Sequence, residues 1–452
     1  MTNVKTNAPV AVGEHHEVTA VRLNDDGDGV ATVEGLTVFI PYLLPGEKAT
    51  VRVIERQRRF ARAALVERHT SATDRQDAPC PVFGECGGCQ VQHLAYASQL
   101  AWKAGSIARV AKQLGLDADT VVRPIIGSES PFRYRNQVQM PVAFDAEAGK
   151  VKMGFFGAQS HRMIETDSCH LQSQAMQKTL VAACAFLTKL GSALATKVHH
   201  VIVRESAMNG EQLVVFASHA NSAELKRALI RFKAADVTTV GLTVQPKIGG
   251  PVWGRTVEIL RGTGMLQERI GGILFRVSPR SFLQVQTPLA EQMYATVRDY
   301  AALTPEDTVI DAYCGIGTMT LMLAQTARHA IGVEEVAAAV ADARTNQADN
   351  GIQNAEFVAG SVETWLPKWV ADGNRADVAV FDPPRKGIDP AALAAVAEVA
   401  PRRIVYASCN PATLQRDLKY LMEHGYAVEA MQPLDMFPQT SHVECCVLLI
   451  RK

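Results

Sequence analysis

From Thr304 to the C-terminus the chain alternates short apolar runs with longer stretches of helical length, and this alternation limits the possible folds more than any other feature. "DTVIDAY", "HAIGVEE", "AEFVAG", "ADVAVFD", "RRIVYAS" and "VECCVLLIRK" read as strands. "TMTLMLAQTA", "VAAAVADARTNQADN", "PAALAAVAEV" and "ATLQRDLKYLMEHG" read as helices between them. That order predicts a mostly parallel sheet covered on both faces. Ligands of such sheets bind beyond the carboxyl ends of the strands. Five loops fall at that edge: "DAYCGIG", "VEE", "FDPPRKG", "SCNP" and the turn before "HVECC".

The rest of the 452 residues is organised differently. Residues 17–70 alternate short β-rich runs with Asp-Gly and Pro-Gly punctuation, which predicts a small closed barrel. One of its runs, "VRVIERQRRFARAALVER", carries Arg52, Arg56, Arg58, Arg59, Arg62 and Arg68 against Glu55 and Glu67. It reads either as a solvated strand pair or as a phosphate-contacting face. The whole chain gives no such hint, because Lys plus Arg and Asp plus Glu are 46 each. The middle, roughly 73–275, mixes "HHVIVRESA" and "QLVVFAS" with "SAELKRALIRFKA" and reads as an α+β domain. "MTNVKTNAPVAVGEHHEV" lacks the apolar core of a signal peptide, and no run has the length of a membrane span, so the expected location is the cytoplasm with no membrane partner. In that reducing compartment the nine cysteines read as thiols, ligands or catalytic groups rather than as a disulfide frame.

Gly315 and Gly317 stand between a strand and a helix, where missing side chains let a ligand approach the backbone. Thr320 replaces the third glycine of a dinucleotide fingerprint, which argues against NAD. Glu334 ends the next strand about twenty residues on, where a carboxylate holds ribose hydroxyls. With Asp311 ahead of them, these residues fit S-adenosylmethionine, which has no phosphate to cradle. Cys314, in the same loop, reads as packing.

Asp382 is followed by Pro383 and Pro384, whose rings fix the backbone that carries it. An Asp-Pro-Pro loop resembles that of amino-directed nucleic-acid methyltransferases, but an aromatic residue follows there and Arg385 follows here. Cys409 ends the next strand, and Asn410-Pro411 turns the chain into a helix. A thiol near a helix start is expected to have a lowered pKa and to act as a nucleophile. Thiolate addition to carbon 6 of uracil would activate carbon 5 towards methylation, and the carbon 5 proton would then need a base. Glu444 is the first candidate and His442 the alternative.

"DAYCGIGTMTL", "DPPRKGID", "VYASCNPATLQRDL" and "PLDMFPQTSHVE", in this order and over nearly the whole chain, resemble the S-adenosylmethionine-dependent RNA uracil-C5 methyltransferases, in particular the bacterial 23S rRNA branch. Residues 17–70 resemble the TRAM domain of that family, an RNA-binding barrel of the oligonucleotide-binding type. The resemblance implies Cys409 as nucleophile, Glu444 as proton acceptor, and Gln284, Tyr313, Glu334 and Asp382 as cofactor contacts beside Gly315 and Gly317. Gln286 departs from it, since relatives usually carry Asn there. A tRNA uridine remains the alternative substrate, and a non-catalytic RNA-binding factor or an iron-sulfur oxidoreductase are readings of other classes.

"CPVFGECGGC" spaces Cys80, Cys86 and Cys89 as C-x5-C-x2-C, and Cys169, with His170 as its rival, would supply a fourth ligand. Spacing leaves zinc and iron-sulfur open. The resemblance implies a [4Fe-4S] cluster on Cys80, Cys86, Cys89 and Cys169. "SPFRYRNQVQMPV" adds Arg133, Tyr134 and Arg135, a mix suited to RNA backbone contact and base stacking or to an ordinary edge strand. The expected organisation is therefore a TRAM barrel over 10–72, a central α+β iron-sulfur domain over 73–275 and a Rossmann-like methyltransferase domain over 276–452. The expected partner is RNA, with the target base flipped from its stack and the protein acting as a monomer.

Overall fold

Residues 10–452 are described by a computed structural model. The N-terminal stretch read above for a signal peptide lies partly outside them. The chain forms two compact units, one of residues up to 106 with 156–164 and 437–442, the other of 107–155, 165–436 and 443–452.

The first unit holds a six-stranded sheet in the order β1-β5-β6-β4-β3-β2. Its strands are β1 (His15–Thr19), β2 (Arg22–Leu23), β3 (Gly29–Val33), β4 (Leu36–Ile40), β5 (Lys48–Arg56) and β6 (Phe60–Arg68). Alternate residues such as Val18, Ala31, Val38, Val51 and Ala63 share one core, while register shifts along the β5–β6 pair bend the sheet around it. The run "VTAVRL" is not one strand but the end of β1 and all of β2. It breaks because Ala20 donates its N–H to the Glu47 carbonyl and accepts from the Gly46 N–H instead of continuing the ladder. Glu47 itself is fully buried. Its carboxylate accepts from the N–H groups of Leu44 at 2.8 Å and Ala72 at 3.1 Å and from the Arg75 guanidinium at 2.5 and 2.7 Å.

The second unit contains a C-terminal sheet and all of a central sheet except residues 156 and 163–164, which fall in the first unit. The central strands are β7 (Gln137–Asp145), β8 (Lys150–Phe156), β9 (Met163–Glu165), β10 (Val198–Glu205), β11 (Gln212–Ser218), β12 (Val237–Val244) and β13 (Val257–Arg261), in the order β13-β12-β11-β10-β7-β8-β9. Helices α1 (Tyr96–Gln113) and α2 (Ala118–Val121) precede this sheet in the chain. α3 (Gln174–Leu190), α4 (Ser192–Ala195) and α5 (Ala223–Leu229) contribute to its core. A hairpin of β14 (Leu266–Ile270) and β15 (Ile273–Val277) turns at Gly271-Gly272, both at positive φ. α6 (Thr287–Ala301) then leads into the C-terminal region.

There the strands are β16 (Thr308–Ala312), β17 (His329–Glu334), β18 (Ala355–Ala359), β19 (Val378–Phe381), β20 (Arg403–Ser408), β21 (Tyr426–Leu434) and β22 (Glu444–Arg451). The helices are α7 (Thr318–Ala324), α8 (Ala337–Asp349), α9 (Val362–Ala371), α10 (Pro390–Val399) and α11 (Pro411–Glu423). The order β18-β17-β16-β19-β20-β22-β21 is parallel from β18 to β20, with β22 antiparallel to both of its neighbours. Every residue of β16 and β19 is buried, as expected of a sheet covered on both faces. Strand β21 and helix α9 were not foreseen. Pro367 inside α9 interrupts the helical signal, and a Pro433 within β21 does the same for the strand.

The expected iron-sulfur domain is corrected. Among the described residues no group of three or more His, Cys, Asp or Glu could hold a metal ion. Cys80, Cys86 and Cys89 belong to the first unit and Cys169 to the second. The 80–89 loop is shaped by its own hydrogen bonds, with Phe83 N–H donating to Cys80 O, Cys86 N–H to Val82 O, Gly87 N–H to Phe156 O and Gly88 N–H to Cys86 Sγ. The two glycines free the backbone for these closures rather than for a ligand, and the central region is an α+β fold without the assigned [4Fe-4S] ligands. Among the described residues no helix is long and apolar enough to cross a membrane.

Removing the buried carboxylate of Glu47 leaves the Arg75 guanidinium with its bond to Tyr42 O but without its anion, and leaves the Leu44 and Ala72 N–H groups without this acceptor. Glu47→Ala should therefore lower stability by about 3–5 kcal/mol, read as a shift in the urea midpoint of the intact protein; an unchanged midpoint would show that the clamp contributes nothing.

Candidate active site

Strand β16 pairs with both β17 and β19, so the chain order reverses at β16, and the crevice of such a sheet opens there. Ala312 is registered with Phe381, so Tyr313 and Asp382 leave the sheet side by side, and the Asp382 N–H donates to Ala312 O. Phe381 is registered with Tyr406 and Ser408 with Cys445, so Cys409 and Glu444 each stand one residue beyond that last pair. The parallel ladder and the antiparallel β20–β22 pair thus collect Tyr313, Asp382, Cys409 and Glu444 at one edge.

The glycine loop is held by backbone geometry. Gly317 has φ +82°, and a Cβ there would come within 2.6 Å of the Phe357 ring. Gly315 has φ +55° with open space where a Cβ would stand, and its N–H donates to Glu334 Oε2 at 3.1 Å. Glu334 Oε1 accepts from Val336 N–H at 2.8 Å, so the carboxylate is fixed at the end of β17. Tyr313 sits at φ +68°, an uncommon conformation for a side chain of its size, and its hydroxyl donates to Glu363 at 3.4 Å. Thr320, at the position of the missing third glycine, donates to Asp311 Oδ2 at 2.5 Å. Asp311 is 0% exposed, and its Oδ1 has no hydrogen-bond partner among the described residues. Burial, with the nearby Asp382 charge adding to it, raises Asp311 to about 7.

The strand edge is partly buried and rich in acid groups. Burial raises Asp382 to about 7. Glu444 is 4% exposed, and burial followed by the charge of Asp382 pushes it well above the usual carboxylate range, with Arg385 opposing. Cys409 is pushed up to about 11 by burial, then by Glu444 and Asp382, again with Arg385 opposing. The lowered thiol pKa expected from the helix start is therefore corrected. A helix end stabilises an anion by roughly 0.3–1 kcal/mol, too little against desolvation and two carboxylates. The first N–H groups of α11 are also engaged, since Asn410 Oδ1 accepts from Ala412 N–H.

Helix α11 also clamps the Asp382 loop. Asn410 Nδ2 and Thr413 Oγ1 donate to Arg385 O, Arg416 donates to Lys386 O and Ile388 O, and buried Asp417 accepts from Ile388 N–H and the Tyr406 hydroxyl. Asp417 went unnoticed in the sequence, although an acid on the apolar stripe of Leu414, Leu418 and Leu421 signals a buried partner. Two more residues were missed. Tyr294 of α6 is a buried phenol in the field of Asp382, Asp311 and Glu444. Phe282 is 67% exposed, two residues before Gln284.

Gln284 is buried, and its carbonyl accepts from Asn136 Nδ2 at 2.9 Å. Gln286 donates through Nε2 to Ser128 Oγ, while its buried Oε1 has no partner among the described residues. Arg133 does not point to a solvent role, because its guanidinium binds Cys169 O, Gln172 O and Gln177 Oε1. Tyr134 is buried. His442 lies in the first unit, packed edge-on against Phe437, whereas Glu444 belongs to the second. Arg52, Arg58, Arg59 and Arg68 are exposed on the β5–β6 pair.

Comparison with known proteins gives the family. The family described as tRNA (Uracil-5-)-methyltransferase matches residues 95–452, and the TRAM domain matches residues 9–66. An uncharacterized RNA methyltransferase of Bacillus cereus is 39% identical over 458 residues, covering 99% of each chain. Another, of Halalkalibacterium halodurans, is 40% identical, covering 98% of this chain and 99% of its own. In fold, the chain is similar to the tRNA (uracil-54, C5)-methyltransferase of Pyrococcus abyssi, solved with S-adenosyl-L-homocysteine, at a TM-score of 0.75 and 24% identity over 96% of this chain and 100% of that one. A reversed parallel sheet with a glycine loop, an acid-rich edge and a strand-end cysteine is what that family match covers, and the chain belongs to the RNA uracil-5-methyltransferase family, with a TRAM domain at its N-terminus.

Proposed function

We propose that the protein transfers a methyl group from S-adenosylmethionine to carbon 5 of a uridine in 23S rRNA through a covalent adduct on Cys409. The observation that carries this reading is the convergence of Cys409, Glu444, Asp382 and Arg385 at one strand edge, with Glu444 buried and Cys409 and Asp382 partly so. The exposed arginines of residues 10–72 are suited to RNA phosphates, 73–275 supports the RNA-facing surface, and 276–452 carries the chemistry in a monomer. A tRNA uridine is the second reading, favoured by the description of the matched family.

The residues present fit the methyl donor. Gly315 leaves open space over the backbone, Glu334 offers a fixed carboxylate to ribose hydroxyls, and Asp311 presents an unpartnered buried Oδ1. Gln284, Tyr313, Gly317 and Asp382 complete the set of contacts. When bound, S-adenosylmethionine supplies the methyl group and a positive sulfonium charge.

Cys409 first loses its proton to solvent, its thiolate Sγ adds to carbon 6 of the flipped uracil, and the electron pair of the broken double bond moves to carbon 5 and the adjoining carbonyl. The carbon 5 activated in this way would accept the methyl group that S-adenosylmethionine, held by Gln284, Tyr313, Glu334 and Asp382, would supply. Glu444 removes the remaining carbon 5 proton, the double bond reforms, and the Cys409 sulfur leaves. Arg385 opposes the negative field of Asp382 and Glu444 at the thiol, and Phe282 offers an aromatic face for a base displaced from its stack.

With 5-fluorouridine in place of uridine, carbon 5 has no proton for Glu444 to take, so the adduct should persist and map by mass spectrometry to Cys409. The attached fragment would name the RNA and the uridine. Cys409→Ala should lose at least about 10³-fold in transfer, and Glu444→Gln should accumulate the adduct on ordinary RNA. Binding of both rRNA and tRNA with no adduct would end the proposal.

The raised pKa of Cys409 has its own signature. The thiol form dominates up to about 11, so the thiolate fraction grows roughly tenfold per pH unit well past the ordinary cysteine value. Alkylation of Cys409 by iodoacetamide in the free protein, followed peptide by peptide, should still be accelerating at pH 10. A plateau below pH 9 would contradict the buried, acid-flanked environment.

A further inference from the structure

Arg204 lies in β10, is 5% exposed, and makes hydrogen bonds only to neutral oxygens among those described. Burying a guanidinium without a carboxylate costs several kcal/mol relative to an apolar residue of similar size. Packing alone would not retain it. Its contacts show a more specific use. Gln137, its registered partner on β7, accepts at Oε1 from Nε at 2.9 Å and from Nη2 at 2.6 Å, which orients the planar fork. The remaining donors reach out of the central sheet: Nη1 to Ser278 O at 3.1 Å and Nη2 to Ser281 O.

Those two carbonyls begin the segment that carries Phe282 and Gln284. The neighbouring residue, Asn136, holds its other end, with N–H donating to Val285 O at 2.9 Å and Nδ2 to Gln284 O at 2.9 Å and to Thr287 Oγ1 at 3.3 Å. On the opposite side Ser281 Oγ donates to Asp342 Oδ2 of α8 at 2.5 Å. Segment 278–287 is therefore suspended between the central sheet and the helix that follows Glu334.

We propose that Arg204 is a positioning residue for methyl transfer, fixing the carbonyls of Ser278 and Ser281 so that Gln284 meets the methyl donor. This rests on the reading above that Gln284 contacts S-adenosylmethionine. A rigid planar fork is the group that holds two carbonyls at a set angle, and a lysine ammonium cannot span both while keeping Gln137.

The test measures dissociation of S-adenosylhomocysteine by calorimetry, KM for S-adenosylmethionine, kcat and Tm in the full-length protein. Arg204→Met should raise the dissociation constant and KM about tenfold, with kcat at saturation changed much less. Arg204→Lys should fall between this and the native protein. A merely structural role would lower Tm or the active fraction and leave KM and the dissociation constant of the folded molecules unchanged, which would overturn the inference. If Arg204→Met does not fold, Gln137→Leu decides: loosening the fork should weaken S-adenosylhomocysteine binding by a few-fold, and unchanged binding overturns the proposal. Gln284→Ala separates the two layers. Unaltered affinity in that variant would refute the cofactor role of Gln284 and this inference with it, whereas weakened affinity there beside native affinity in Arg204→Met would refute Arg204 alone.

Discussion

The backbone pairing of β16 with β19 is the constraint on which the site depends. Both strands are buried along their whole length, so neither can slip by one residue without turning Asp311 and its neighbours to the wrong face. Because the register is fixed, Tyr313 and Asp382 emerge together, and the next two ladders carry Cys409 and Glu444 to the same edge. No side chain at the site has to search for its partner. The sheet's hydrophobic burial does that work, and helices α7 and α11 then set the details through Gly317 and Asp417.

The same burial creates the electrostatic character of the edge. Asp311, Asp382 and Glu444 are all raised, chiefly by desolvation, and Asp382 acts on the other two. Asp311 and Asp382, both near 7, change charge around neutrality. For such acids the native state binds protons more tightly than the unfolded chain, so the stabilisation is complete below the unfolded value and fades as pH rises towards 7. A positive ligand in this crevice would favour the ionised carboxylates and the thiolate together. This gives the acid cluster a use that an apolar edge would not have.

Much of this was legible in the sequence, and the reason is local. Glycine pairs, Asp-Pro-Pro and Cys-Asn-Pro interrupt strand and helix patterns with residues that regular structure disfavours, so they mark the loops where the sheet ends. The residues that escaped lack such marks. Arg204 sits in an ordinary strand pattern, Tyr294 on the buried stripe of a helix, and Asp417 among leucines. Their partners lie far along the chain or across the sheet. The opposite error occurred at Cys80, Cys86 and Cys89, where close spacing suggested ligands although the loop closes on its own backbone. Spacing records which residues are near in sequence, whereas a site needs donors that converge.

The segment 278–287 is tied to both the central sheet and helix α8 of one unit. The C-terminal sheet carries the candidate edge, yet Gln284 is held by Asn136, and Ser278 and Ser281 by Arg204, both of the central region, with Ser281 also bonded to Asp342 of α8. A loop fixed only by its own ends would keep many conformations open, and ordering it on ligand binding would consume part of the binding free energy. Tethers at Ser278, Ser281, Gln284 and Val285 impose that order in advance. Through a buried cation and an asparagine the central sheet thereby fixes a segment that leads from β15 into α6 and so towards the C-terminal sheet.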